Sequence, residues 1–251
     1  MHQAQSYILA TVIPPGADVR QVVLQSQFVS GIEQRLISDS IGYCYSGAVS
    51  IADAVRGIDT GFYSWATVKL YYGAFYLTRA LLAMKGISIF HVGHSPYRWR
   101  AAAGEMPRKL KGNTHQVVLN EFGAERTHPH LISQQIGGVS ALAWLREKRE
   151  EANYGKAKFE EPAVPTHFER VVEIGVRRAI DGYLSDRSYL YSFDADHAML
   201  AYPLELWRQV LADIANLPSQ FELARVDRTY LSKLFGDSRG RFATVNRLVN
   251  P

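Results

Sequence analysis

The chain has 251 residues, 47% of them apolar and 21% charged, with a mean hydropathy of −0.13, values that exclude a disordered or fibrous polymer and fit a globular protein with a sizeable core. An excess of 28 Lys and Arg over 24 Asp and Glu, with a pI of about 9.1, is too small to argue a nucleic-acid partner from the total alone. One cysteine, Cys44, excludes a disulfide framework, and no apolar run approaches the ~20 residues of a membrane-spanning helix. The N-terminus lacks a basic leader and cleavage pattern, so a cytoplasmic location and no membrane contact are expected.

In chain order, SYILATVI (6–13) has strand character before the turn PPGAD, predicting a short edge strand or an extended arm. QVVLQSQFV (21–29) is ambiguous between strand and helix, and GAVSIADAVRG (47–57) predicts a short helix closed by Gly57. The segment 61–86 is apolar on nearly every side, which predicts a central buried helix with Ser64 as N-cap and Gly86 as left-handed cap. Its Tyr71, Tyr72, Phe75 and Tyr76 read first as core filling, and Lys69 and Arg79 as side chains that reach the surface along their stems.

Residues 87–130, interrupted by Pro96, Pro107 and Pro129, read as a long irregular insertion with one short helix from N-cap Thr114 to Gly123. The next helix starts near Leu131 or afresh at N-cap Ser140. THFERVVEIGVRRAIDGYL (166–184) predicts one amphipathic helix with a Thr166–Glu169 capping box, packed along the central helix. The remainder reads as an appendage: a helix over 203–217 with Pro203 in its first turn, and a short helix over 227–236.

Two stretches carry candidate chemistry. In LREKREEANYG (145–155), Arg146, Arg149, Glu150 and Asn153 share one helical face; two guanidinium groups there suit a phosphate. The competing reading is an i,i+4 pair, Arg146–Glu150, worth about 0.3–0.5 kcal/mol on a wet face. Between 97 and 111, Tyr97 and Trp99 interleave with Arg98 and Arg100, followed by Arg108, Lys109 and Lys111. That pattern reads either as an RNA-binding segment that grips phosphates and stacks bases or as a solvated loop anchored by its aromatics. His91-x-x-His94 and His128-x-His130 lack a consistent ligand spacing, and no glycine-rich phosphate cradle occurs, so neither a metal nor a cofactor is expected.

The residues Tyr71, Tyr72, Phe75, Arg79, Ala80, Leu81, Leu82, Lys85 and Gly86, followed by Arg146, Arg149, Ala152, Asn153 and Tyr154, resemble the motifs of the HEPN family of all-helical nucleotide- and RNA-associated domains. The resemblance covers about 61–185, with 87–130 as an insertion between an N-terminal segment (1–60) and a helical C-terminal extension (186–251). It implies a mainly α, up-and-down helical bundle, a homodimer, and a cleft lined by Arg146, Arg149, Asn153 and Tyr154. Many members are metal-independent endoribonucleases with an Arg-x(4–6)-His motif. Here Ala152 stands where the histidine would be, and alanine has no proton to exchange. His128, His130 or His167 would have to substitute from elsewhere. Two readings follow: a non-catalytic RNA- or nucleotide-binding module, the partner subunit in a defence or toxin–antitoxin system with a protein partner, or an active endoribonuclease.

Overall fold

A computed structural model describes residues 2–126, 128–155, 157–218 and 221–250, and the described chain is mainly helical. Its centre is a helical hairpin of α2 (Ser26–Asp59) and α3 (Tyr63–Met84), numbered after a short α1 (Gln3–Tyr7). In α2 the buried side chains Ile32, Leu36, Ser40, Cys44, Ala48, Ile51, Val55 and Ile58 recur at helical spacing. The expected short helix over 47–57 is therefore the last third of a long one, and Gly57 lies inside it. Burial of this stripe outweighs the roughly 1 kcal/mol that a glycine costs within a helix. Gly47 and Gly73 face each other where the hairpin helices cross: a Cβ on Gly47 would lie 2.7 Å from Leu77 Cγ and 3.2 Å from the Gly73 carbonyl oxygen.

The expected strand or arm over 6–13 is helical instead. α1 runs into a wider turn closed by the Ile13 N–H to the Ile8 carbonyl at 3.0 Å. Asp39 of α2 accepts from the N–H groups of Gln3 and Ala4 at 2.8 and 2.9 Å, a cap supplied from 35 residues away and invisible in local sequence. Ala4, Ile8 and Val12 then bury against Phe90, Tyr97 and Trp99 in a second, smaller core.

The stretch read as an irregular insertion is ordered. β1 (Ile87–Val92) and β2 (Ser95–Arg100) form an antiparallel hairpin extended by β3 (Arg108–Lys109). α4 (Thr114–Glu125) is capped by the Asn113 side chain rather than by Thr114, and it passes Gly123 to end at left-handed Arg126. Gly86 has the expected left-handed backbone (φ 72°), but the first turn of α3 is capped from outside: the Glu161 carboxylate accepts from the Ser64 N–H and hydroxyl at 2.7 and 2.9 Å.

α5 (Ala141–Tyr154) starts afresh at Ser140, whose hydroxyl accepts from the Ala143 N–H. The helix expected over 166–184 breaks at Gly175 (φ 83°) into α6 (Thr166–Ile174) and α7 (Val176–Ser185), and no Thr166 cap forms because Pro165 occupies the N-cap. α6 meets α3 at its first turns, through Phe168 against Tyr63 and His167 on Thr67, whereas α7 lies on α8 (Ala198–Ala215) rather than along α3.

α8 is no appendage. Its Leu200, Leu204, Leu206, Trp207 and Val210 are fully buried in the same core as Tyr71, Leu77 and Leu81, and Pro203 sits inside the helix rather than in its first turn. α9 (Arg225–Leu234) and α10 (Ala243–Val249) complete that core with Leu231, Val245 and neighbouring Phe235 and Phe242. Arg177 of α7 stitches this end in place with a two-pronged pair to Asp237 at 2.9 and 2.6 Å. No helix among the described residues is long and apolar enough to cross a membrane.

Candidate functional site

α5 turns Ala141, Leu142, Trp144 and Leu145 into the core, which fixes the direction of its remaining side chains. Arg149 lies over the aromatic faces of α3, 4.9 Å from the Tyr71 ring centre and 5.9 Å from that of Tyr72. Arg146 sits one turn before it. Its sequence partner Glu150 stands 4.0 Å from the Arg146 Nε, the outer limit of an ion pair, and Arg149 has no carboxylate partner among the described residues. The Nε atoms of both arginines are buried without a hydrogen-bond partner. Arg149 over the Tyr71 and Tyr72 rings, with Arg146 one turn before it, puts two guanidinium groups side by side, a pairing whose charge and donor geometry suit an anion.

A histidine completes this cluster, and it is none of the three named from sequence. His115, in the first turn of α4, places Nδ1 2.9 Å from the Tyr71 hydroxyl and its ring 4.3 Å from that of Phe75. Burial, then the Arg149 and Arg79 cations, hold His115 below its ordinary pKa, so it is neutral near pH 7. Burial pushes the Tyr71 hydroxyl up to about 12, so it keeps its proton. With the Arg149 cation beside it, the Tyr71 oxygen is best used as an acceptor toward Arg149 and its proton as a donor to His115 Nδ1. The imidazole then carries its own proton on Nε2, as a donor available to a bound anion.

The other sequence candidates are distributed differently. Asn153 is half-buried on the same face as Arg146 and Arg149, while Tyr154 is 77% exposed at the helix end. Ala152 faces a separate cavity of about 440 Å³ that is also lined by Ser64, Thr67, Lys148 and His167. His167 is engaged there: its Nε2 is 2.9 Å from the Thr67 hydroxyl, and burial lowers its pKa to about 4. His128 and His130 are turned to α8, against Asp213 at 3.2 Å and Glu205 at 3.6 Å. Cys44 is buried beside Trp207, and burial pushes its thiol up to about 12, the opposite of an activated nucleophile.

The basic segment is largely internal. Tyr97 and Trp99 point into the smaller core, and Trp99 spends its indole N–H on the Glu105 carbonyl at 3.0 Å. On the opposite strand face, Arg98 pairs with Glu121 at 3.0 Å and with Glu125, Arg100 pairs with Glu125 at 2.6 Å, and Arg108 pairs with Glu121 at 2.7 Å. Two carboxylates of α4 thus pair with three of the five cations and cancel two of their charges, and Lys109 and Lys111 remain exposed. The sequence held a signal for this: Arg98 and Arg100 are two apart on a strand, and Glu121 and Glu125 four apart on a helix, so each pair shares one face. Among the described residues no group of three or more His, Cys, Asp or Glu side chains is placed to hold a metal.

Comparison with protein-family models, curated proteins and solved structures finds no match. The function of the Arg146, Arg149 and His115 cluster is therefore read from its own geometry.

Proposed function

We propose that this protein is a HEPN-like RNA- or nucleotide-binding module that receives a phosphate group between Arg146, Arg149 and His115. The observation that supports it is the pair of guanidinium groups on one face of α5, Arg149 seated over Tyr71 and Tyr72 and Arg146 one turn before it, with no tight carboxylate on either among the described residues. On the HEPN resemblance the module acts as one subunit of a homodimer in the cytoplasm, a binding partner in a defence or toxin–antitoxin system. A planar guanidinium offers parallel donors that match phosphate oxygens, and its charge does not titrate away.

His115 favours a second reading, a metal-independent endoribonuclease. In the tautomer with its proton on Nδ1, donated to the Tyr71 oxygen, neutral His115 takes the 2′-hydroxyl proton at Nε2 as that oxygen attacks phosphorus, and the departing 5′-oxygen takes its proton from water. The two arginines hold the charge that builds on the phosphate. The missing histidine at position 152 does not weigh against this, because Ala152 faces another cavity.

The test measures binding and cleavage of labelled RNA at low salt by wild type, the Arg146→Gln/Arg149→Gln variant and His115→Asn. Binding by wild type that the double arginine variant loses supports the module. Cleavage that His115→Asn abolishes while binding persists moves the conclusion to the enzyme. No binding of RNA or of mononucleotides by wild type sinks both readings. Loss of that one phosphate site also lowers the slope of log affinity against log salt by about 0.7 for single strands.

A further inference from the structure

From Tyr63 to Ala83, every side chain of α3 is buried except Trp65, Lys69, Tyr72, Tyr76 and Arg79. These five are spaced four, three, four and three apart, so they form one straight stripe along a helix that is otherwise enclosed. It extends about 21 Å along the axis. All five are aromatic or cationic, although a stripe left open for packing reasons alone would carry no such restriction.

The neighbours continue the pattern. Arg149 lies over Tyr72 at 5.9 Å from one side, and His115 is 5.5 Å from the same ring. At one end Arg79 is seated on Tyr43, 4.3 Å from its ring centre, and has no carboxylate pair among the described residues. Asp39, which shares that end, is spent on the Gln3 and Ala4 N–H groups. At the other end Trp65 is 48% exposed and edge-on to Phe159. Lys69 has Asp53 at 2.6 Å, with both side chains well exposed, a pair that an incoming phosphate can displace at small cost.

We infer that this stripe is a track for single-stranded nucleic acid, on which bases stack against Tyr72, Tyr76 and Trp65 while Arg149, Lys69 and Arg79 meet successive phosphates. Aromatic platforms interleaved with cations are what a sequence-tolerant single-strand site requires. The track rests on the phosphate-binding reading of Arg146 and Arg149, which flank its middle, but it specifies a strand of several nucleotides as the ligand where that reading is satisfied by one. His115 and Arg149 then address an internal phosphate rather than a terminal one.

The experiment titrates wild type with uridine monophosphate and with oligouridylates of about two, four and eight nucleotides. It follows anisotropy and the fluorescence of Trp65, the exposed one of four tryptophans; the other three are buried. Affinity should rise steeply with length, with Trp65 quenched by the longer strands. Tyr76→Leu, which keeps apolar volume, should weaken the longest strand by roughly tenfold or more and leave the monophosphate unchanged. Lys69→Gln and Arg79→Gln should each lower the salt slope by about 0.7. Equal affinity for monophosphate and oligomer, with Tyr76→Leu silent, overturns the track while leaving the phosphate site standing. Failure to bind any of these ligands overturns both.

Discussion

Replacing Gly47 by Ala tests the hairpin that presents the α3 surface. A Cβ at this position would sit 2.7 and 2.9 Å from Leu77 Cγ and Cδ2 and 3.2 Å from the Gly73 carbonyl oxygen. Leu77 is fully buried, so its branch point cannot swing away, and the carbonyl belongs to the facing helix. Overpacking of this kind costs about 1–3 kcal/mol. Ala in place of Gly within a helix returns up to about 1 kcal/mol, so the net effect should be a loss of up to about 2 kcal/mol. Gly42, exposed on the same helix with nothing within 4 Å of an added Cβ, is the internal control and should gain up to about 1 kcal/mol. For a chain of this size each kcal/mol moves the Tm by about 2–4 °C. Thermal melts of Gly47→Ala and Gly42→Ala should therefore separate to opposite sides of wild type. Equal stability of the two variants would refute the close crossing of α2 and α3.

His167 makes stability depend on pH. Its folded pKa of about 4 lies below the ordinary 6.5, so the buried neutral ring contributes fully above pH 6.5 and its contribution is lost as pH falls toward 4. That loss totals roughly 3 kcal/mol, and denaturant melts of His167→Gln should lack this component of the acid slope. Glu121 is buried between Arg98 and Arg108, and Glu121→Ala should cost about 1.5–3 kcal/mol through the lost charged hydrogen bonds, since Arg98 keeps Glu125 and Arg108 is largely exposed. A urea titration reads that loss, and a change within about 0.5 kcal/mol would mean the ion network is solvated rather than structural.

What was legible in the sequence is the helical class and the shared face of Arg146, Arg149 and Asn153, because both follow from periodicity within a single segment. The apolar run of α3 and the Ser140 cap of α5 are equally local signals. What failed needed distant partners. Asp39 turns 6–13 into helix by capping α1, and Glu161 replaces Ser64 as the cap of α3. The length of α2 is masked by glycines that local propensity disfavours, of which Gly47 is required by the packing against α3. The C-terminal helices seemed separable because nothing in 186–251 announces that Trp207 and Phe242 bury among residues of α2 and α3. In the site, His115 is a lone histidine in a short helix whose approach to Tyr71 no local pattern shows, and the basic strand draws attention because the carboxylates that pair with it lie 13 to 27 residues later.

The central claim is that α5, and not the basic strand, receives the phosphate. ¹⁵N-detected NMR of arginine Nε and histidine ring signals during titration with uridine monophosphate tests it directly. Saturable shifts are predicted at Arg146, Arg149 and His115, abolished by Arg146→Gln/Arg149→Gln and unaffected by Lys109→Gln/Lys111→Gln. Shifts confined to the strand end, removed by the lysine changes while Arg146, Arg149 and His115 stay still, would contradict the account.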